Sequence, residues 1–192
     1  MPVRRTIQQA LDNFGKQVVK GAKLNVGATR TIEYNDGKKK RGRLSNTGTL
    51  LDSIAYKLSV QQSRDSRGRF KSGNDIEMSF YMEDYGKFLD EGVDGTEHKV
   101  KGGTRFGFSS KQPPIKDIRG WMKQRNFRLR DLETNKFKPT TESGMRSAAF
   151  AISKKIKERG LPKTSFFTTP FNLAYEQLPD EIAEILGNEF FD

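Results

Sequence analysis

The chain has 192 residues, 33% hydrophobic and 31% charged, with no cysteine and a net charge of +11. The missing cysteine excludes disulfide frameworks, thiolate nucleophiles and zinc–thiolate sites. No apolar run is long enough to span a bilayer and the N-terminus has no apolar signal core, so synthesis in a cytoplasm is expected, as one domain with a modest core that neighbouring subunits complete.

Residues 3–24 predict an amphipathic helix, with Ile7, Leu11, Phe14, Val18 and Ala22 on one stripe. Residues 29–34 read as a short strand, followed by an Asn-Asp-Gly turn and a basic tip, "GKKKRGR". Ser45 to Gly48 suit a turn, and Leu50, Leu51 and Ile54 a short helix. Tyr56, Leu58 and Val60 alternate as in a strand. Residues 61–75 lack periodicity and read as a basic, flexible hairpin loop. "IEMSFYM" predicts a strand whose buried face is Ile76, Met78, Phe80 and Met82, paired antiparallel with 55–60. Residues 83–91 suit a short helix with Tyr85, Phe88 and Leu89 on one face. A glycine-rich contact loop then fills 92–113.

Pro114 opens a helix carrying Ile115, Ile118, Trp121 and Met122, and residues 126–141 are irregular and basic. A helix from 142 to 159 follows, with Met145, Ala149, Ile152 and Ile156 as its stripe, Gly160 as its cap and Pro162 as its stop. The last helix starts at Pro170 and is expected to bend at Pro179. The order predicts a single α+β domain: a small antiparallel sheet with helices on one side, long terminal helices, extended loops and an inserted segment over 114–141.

Charge is sorted along the chain. Residues 1–72 hold 16 Lys or Arg and 5 Asp or Glu, while residues 73–192 hold 19 of each. Residues 83–97 carry six acids against Lys87, residues 99–163 carry 18 bases against five acids, and residues 176–192 carry six acids and no base. Such sorting suits nucleic acid on the basic parts, or another copy docking basic patch to acidic patch.

The acids Asp84, Asp90, Glu91 and Asp94 match no metal-loop spacing and read as solvated or paired charges. His98 is the sole histidine, and it reads as a loop residue. No G-x-S-x-G elbow occurs, and "GTRFGF" lacks the strand–turn–helix frame of a phosphate loop. No cofactor or metal is implied. Asp75 and Glu77 on one strand leave a metal-dependent nuclease as a remote alternative. The nearer alternative is sequence-blind phosphate binding by Lys38, Lys39, Lys40, Arg41 and Arg43, and by Arg64, Arg67, Arg69 and Lys71 beside Phe70. The same residues also read as solvated hairpin tips. Phe106, Phe108, Phe166, Phe167, Phe190 and Phe191 are dense for loop and tail positions and suit core or subunit anchors.

Three strings carry a family resemblance. "NTGTLLDSIAYKLSV" offers Thr47, Gly48, Leu50, Ser53 and Ile54; "YGKFLDEGVDGT" offers Tyr85, Phe88, Glu91 and Gly92; "LPKTSFFTTPFNLA" offers Lys163, Phe166, Phe167 and Pro170. In this order, over roughly 44–187, the chain is similar to the small neck and tail-completion proteins of tailed bacteriophages, the head–tail joining group. It departs from them in the inserted "IKDIRGWMKQRNF" helix with its basic sequel, and in "PKTSFF" where "ARPFL" is common.

The resemblance implies a non-enzymatic virion protein that forms a ring, six-fold, between the capsid connector and the tail terminator or tube. Genomic DNA would pass through it without sequence readout, and no membrane would be involved. Two complementary patches are needed on each subunit. The expected interface residues are Tyr85, Phe88, Asp90, Glu91, Asp94, Arg105, Phe106, Phe108, Phe166 and Phe167, with "YGKFLDEG" as a structural corner and Glu91 paired to a base.

Overall fold

The computed structural model describes residues 6–44, 48–64, 66–131 and 133–190. In chain order the elements are α1 (Ile7–Gly27), β1 (Arg30–Glu33), β2 (Lys39–Gly42), α2 (Thr49–Ser53), β3 (Ala55–Arg64), β4 (Phe70–Tyr81), α3 (Gly86–Glu91), β5 (Val93–Asp94), α4 (Ile115–Gln124), α5 (Glu142–Arg159), β6 (Gly160–Leu161) and α6 (Thr168–Phe190). The fold is α+β, and its strands pair two by two: β1 with β2, β3 with β4, β5 with β6. The chain divides into two compact units. One comprises Met1–Arg30, Arg41–Asp90 and Ser165–Asp192, the other Thr31–Lys40 and Glu91–Thr164.

In the first unit, α1 starts with a reciprocal cap. Gln9 N donates to Thr6 Oγ1 at 3.2 Å, and Thr6 N donates to Gln9 Oε1 at 2.9 Å. The helix buries Ala10, Phe14, Gly15, Val18, Ala22 and Val26, while Ile7 and Leu11 at its start are only half-buried. β3 and β4 form a long antiparallel ribbon with Tyr56 opposite Phe80, Leu58 opposite Met78 and Val60 opposite Ile76. Its apolar face turns to α1 and α6, where Met78, Phe80, Phe167 and Phe171 pack on Phe14, Val18, Ala174 and Leu178. Phe80 is the hub of this cluster, with ring centres 6.0, 5.4 and 5.8 Å from Phe14, Phe167 and Phe171, all edge-on. A second cluster joins Ala22, Val26, Leu50, Ile54 and Phe166.

The second unit is built on α4 and α5. They share Met122, Met145 and Ala149, with Ile115, Ile118, Leu129 and Ile152 at the margin. Thr141 caps α5, accepting from Gly144 N at 3.1 Å, and Arg119 forms an ion pair with Glu142 in its first turn. Ser153 is fully buried on the α5 stripe and donates to Pro113 O at 2.6 Å, so the polar residue is satisfied where the period expects an apolar one.

Several expectations need correction. The span 61–75 is not an open loop: both ribbon strands run into it, and only residues 65–69 lie between them. Cross-strand backbone bonding overrides the lack of side-chain periodicity there. "GKKKRGR" is not a tip, because Lys39–Gly42 is the return strand β2 and the turn is at Asp36 and Gly37. Met82 follows the strand rather than belonging to it, and α6 begins at Thr168, ahead of Pro170. Residues 3–5, residues 45–47 of the expected turn, including Thr47, and Phe191 lie outside the described residues, as do the side chains of Arg64, Phe70, Lys71, Asp75 and Phe190.

Candidate interface surfaces

The corner "YGKFLDEG" is held by its aspartate. α3 is too short to persist alone, and Leu89 packs on the Leu50–Phe166 cluster. That packing carries Asp90 inside, where it is 5% exposed. Its carboxylate accepts from Phe167 N at 2.7 Å, from Thr168 N at 3.2 Å and, in a short contact, from the Thr168 hydroxyl, while its carbonyl accepts from Ser165 N at 2.9 Å. The Phe167 and Thr168 amides are orphan N–H groups at the start of α6. A carboxylate 77 residues upstream therefore serves as the helix cap and meets the positive end of the helix dipole. Half-buried Arg30 supplies the nearby positive charge. Burial lowers its pKa, and the Asp90 carboxylate opposes that shift.

Asp90 and Phe166 are thus corrected from interface residues to interior ones, since both are buried within the chain itself. Phe167 is also largely committed to the core through Phe80 and Phe171. Tyr85 lies before α3, not on its packed face, and is 42% exposed. Phe88 is half-buried, beside the Lys87 ammonium at 5.6 Å.

In the second unit the glycine-rich segment is tied down along most of its length. The amides of Thr96, Glu97 and His98 donate to the carbonyls of Lys157 and Glu158 at 3.0, 3.0 and 3.3 Å, satisfying the free end of α5. Asp94 exchanges backbone bonds with Phe106 and Phe108 at 2.9 Å each, accepts from Val100 N at 2.8 Å and pairs with Lys99 at 3.5 Å. Glu91 pairs with Arg105 of the same chain at 2.7 Å, and that guanidinium lies 4.9 Å over the Phe106 ring. Phe106 and Phe108 are half-buried. This close fit depends on Gly95. A Cβ there would lie 2.1 Å from the Glu158 carbonyl oxygen and 2.5 Å from Gly160 N.

The Asn-Asp-Gly turn clasps the same point. The Asn35 amide nitrogen donates to the carbonyls of Arg159 at 2.9 Å, Val93 at 3.2 Å and Leu161 at 3.4 Å. Asp36 meets the Arg159 guanidinium at 3.1 Å. Burial pushes the Asp36 carboxyl up, but the Lys38 amide and the charges of Arg159, Lys38 and His98 outweigh it and leave the pKa below the ordinary value.

The basic residues are surface residues where their side chains are described. Lys38, Lys39, Lys40, Arg41 and Arg43 are exposed on the first hairpin. Lys38 pairs with Asp36 at 3.9 Å, Lys39 pairs with Glu33 at 3.4 Å, and Arg43 donates to Thr29 at 3.2 Å. Arg67 and Arg69 are exposed at the end of the long ribbon. Glu77, one of the two acids of the nuclease alternative, is exposed on β4 and accepts from the Ser79 hydroxyl at 3.3 Å. Among the described residues no three His, Asp or Glu groups gather as a metal ion needs, and no helix is long and apolar enough to cross a membrane.

No family model, curated protein or solved structure matches the chain.

Sequence reasoning missed one surface. Trp121, Phe127 and Phe137, expected as helix core or as irregular basic segment, are 41%, 37% and 56% exposed. Helical spacing put Trp121 beside Met122, but only Met122 turns into the α4–α5 core. The alternation of aromatic residues with Arg125, Arg128 and Arg130 was the signal that could have found this surface.

Proposed function

We propose that the chain is a structural subunit of a tailed-phage neck, forming a ring, six-fold by the resemblance, that joins the capsid connector to the tail or completes the tail. It is made in the host cytoplasm and carried in the virion, and its work is assembly rather than catalysis. One observation carries the reading. The three strings that resemble the head–tail joining group are far apart in sequence, yet their apolar residues share one core. Leu50, Ile54 and Phe166 are buried together, and Leu89 and Phe167 pack against them. Asp90 then ties the second string to the third through its three contacts at the start of α6. Chance likeness in three short strings gives no reason for them to converge.

Sorted charge supports the same reading, because a closed ring needs two unlike, complementary patches on every subunit. Electron microscopy of the purified chain, alone and mixed with the capsid connector, tests it. Rings are expected in at least one condition, and their absence from both removes the proposal.

A second reading, sequence-blind nucleic-acid binding, draws on the exposed Lys39, Lys40 and Arg41 and on Arg67 and Arg69 at the ribbon end. It predicts a monomer whose DNA affinity falls steeply with salt.

A further inference from the structure

The second unit carries apolar surface of a particular kind. The Trp121 and Phe127 rings lie 6.5 Å apart, and the Phe137 ring has Arg130 4.4 Å and Arg128 5.6 Å from its centre. Beside them opens a cleft of about 420 Å³, with Met122, Phe127, Arg128 and Met145 in its lining. Residues 119–138 hold seven bases and two acids, and one of those acids, Asp131, is already engaged by Lys138. Exposed Trp, Phe and Arg beside a cleft have the make-up of a protein-binding hot spot.

The outer face of α6 has the opposite character. Glu176, Asp180 and Glu184 recur every fourth residue and all are exposed, so they form one ridge. Tyr175, 55% exposed, and Leu186 flank it, and no base occurs from 176 to 192.

We propose that the Trp121–Phe137 patch of one subunit binds the acidic α6 ridge of a second copy of this chain. Arg128 and Arg130 meet the ridge carboxylates, and Tyr175 supplies an aromatic anchor of a size that fits the cleft. The two surfaces differ, so the contact is head-to-tail and propagates until a ring closes. The inference deepens the subunit reading and rests on it. DNA would be drawn to the same patch by charge, but it has no use for the α6 ridge, and that difference separates the two occupants.

The test is a charge swap read by sedimentation of the full chain. Arg128→Glu with Arg130→Glu, or Glu176→Lys with Asp180→Lys and Glu184→Lys, each weakens self-association by about tenfold or more. Both sets in one chain restore it. All sites are on the surface, and thermal melts verify folding. If the reversed patch fails to fold, Arg128→Gln with Arg130→Gln reads the same effect at smaller size. Single sets that associate like the wild type, or a double set that stays weak, overturn the inference and leave the ring reading standing. So does a patch variant that loses binding to a short DNA duplex while self-association is unchanged. A wild-type chain that is monomeric at every concentration also overturns it, and the ring reading falls with it only if the connector elicits no ring either.

Discussion

At the scale of single residues, Asp90 does the most for the least exposed surface. Truncation leaves two amides and a hydroxyl at the start of α6 without their acceptor, in a place water reaches poorly. Asp90→Ala should cost about 2–3 kcal/mol in urea unfolding, and Asp90→Asn less, because one acceptor oxygen survives. Faster amide exchange at Phe167 and Thr168 would locate the loss. The "YGKFLDEG" string announced a corner but not this bond. A cap 77 residues distant leaves no local spacing to read, and burial of an aspartate runs against every composition-based expectation.

A second residue pair gives a pH signature. The Tyr56 hydroxyl donates to Asp12 Oδ1 at 2.7 Å. Asp12 is held below the usual carboxylate value by its bonds with Lys16 and then Tyr56, and Tyr56 is pushed up to about 12 by Asp12. The pair's contribution is therefore complete between about pH 4 and pH 10. It falls away below that range as Asp12 protonates, and above it as the pH approaches 12 and Tyr56 ionises. Urea midpoints measured across pH should show both edges for the wild type, and Tyr56→Phe should remove the alkaline one.

At the scale of elements, the helices were the legible part. The α5 range follows from its stripe, with Gly160 as its cap and Pro162 as its stop, and the structure adds the Thr141 cap at its start. The antiparallel pairing of residues 55–60 with the "IEMSFYM" strand follows from alternation, while its register, Tyr56 opposite Phe80, comes from the fold. The joints were not legible, because backbone bonds make them. The clasp of Asn35 on three carbonyls and the close approach of Gly95 to the end of α5 have no periodic signature. Gly95→Ala should destabilise the second unit by about 1–3 kcal/mol or more, since the added methyl meets backbone on two sides. Proteolysis should find the 96–113 segment first. In the first unit Phe80→Ala should cost about 3–5 kcal/mol, because four aromatic partners lose their common neighbour.

At the scale of the whole molecule, the sorted charge of the sequence reappears as two surfaces with different residue types. One is aromatic and rich in arginine, and the other is a helical ridge of carboxylates. Charge sorting could be read from the linear sequence. Which aromatics face outward could not, because helix periodicity places Trp121 and Met122 side by side and only packing separates them. Several residues first expected at the interface, Asp90 and Phe166 above all, belong to the core of the first unit.

The most direct measurement is sedimentation of the purified chain across ionic strength, with and without the capsid connector. A ring held by unlike patches is a closed assembly at low salt and loosens toward about 1 M salt, where charge is screened beyond roughly 3 Å. A single monomeric species at every salt concentration, unchanged by the connector, rules the ring out.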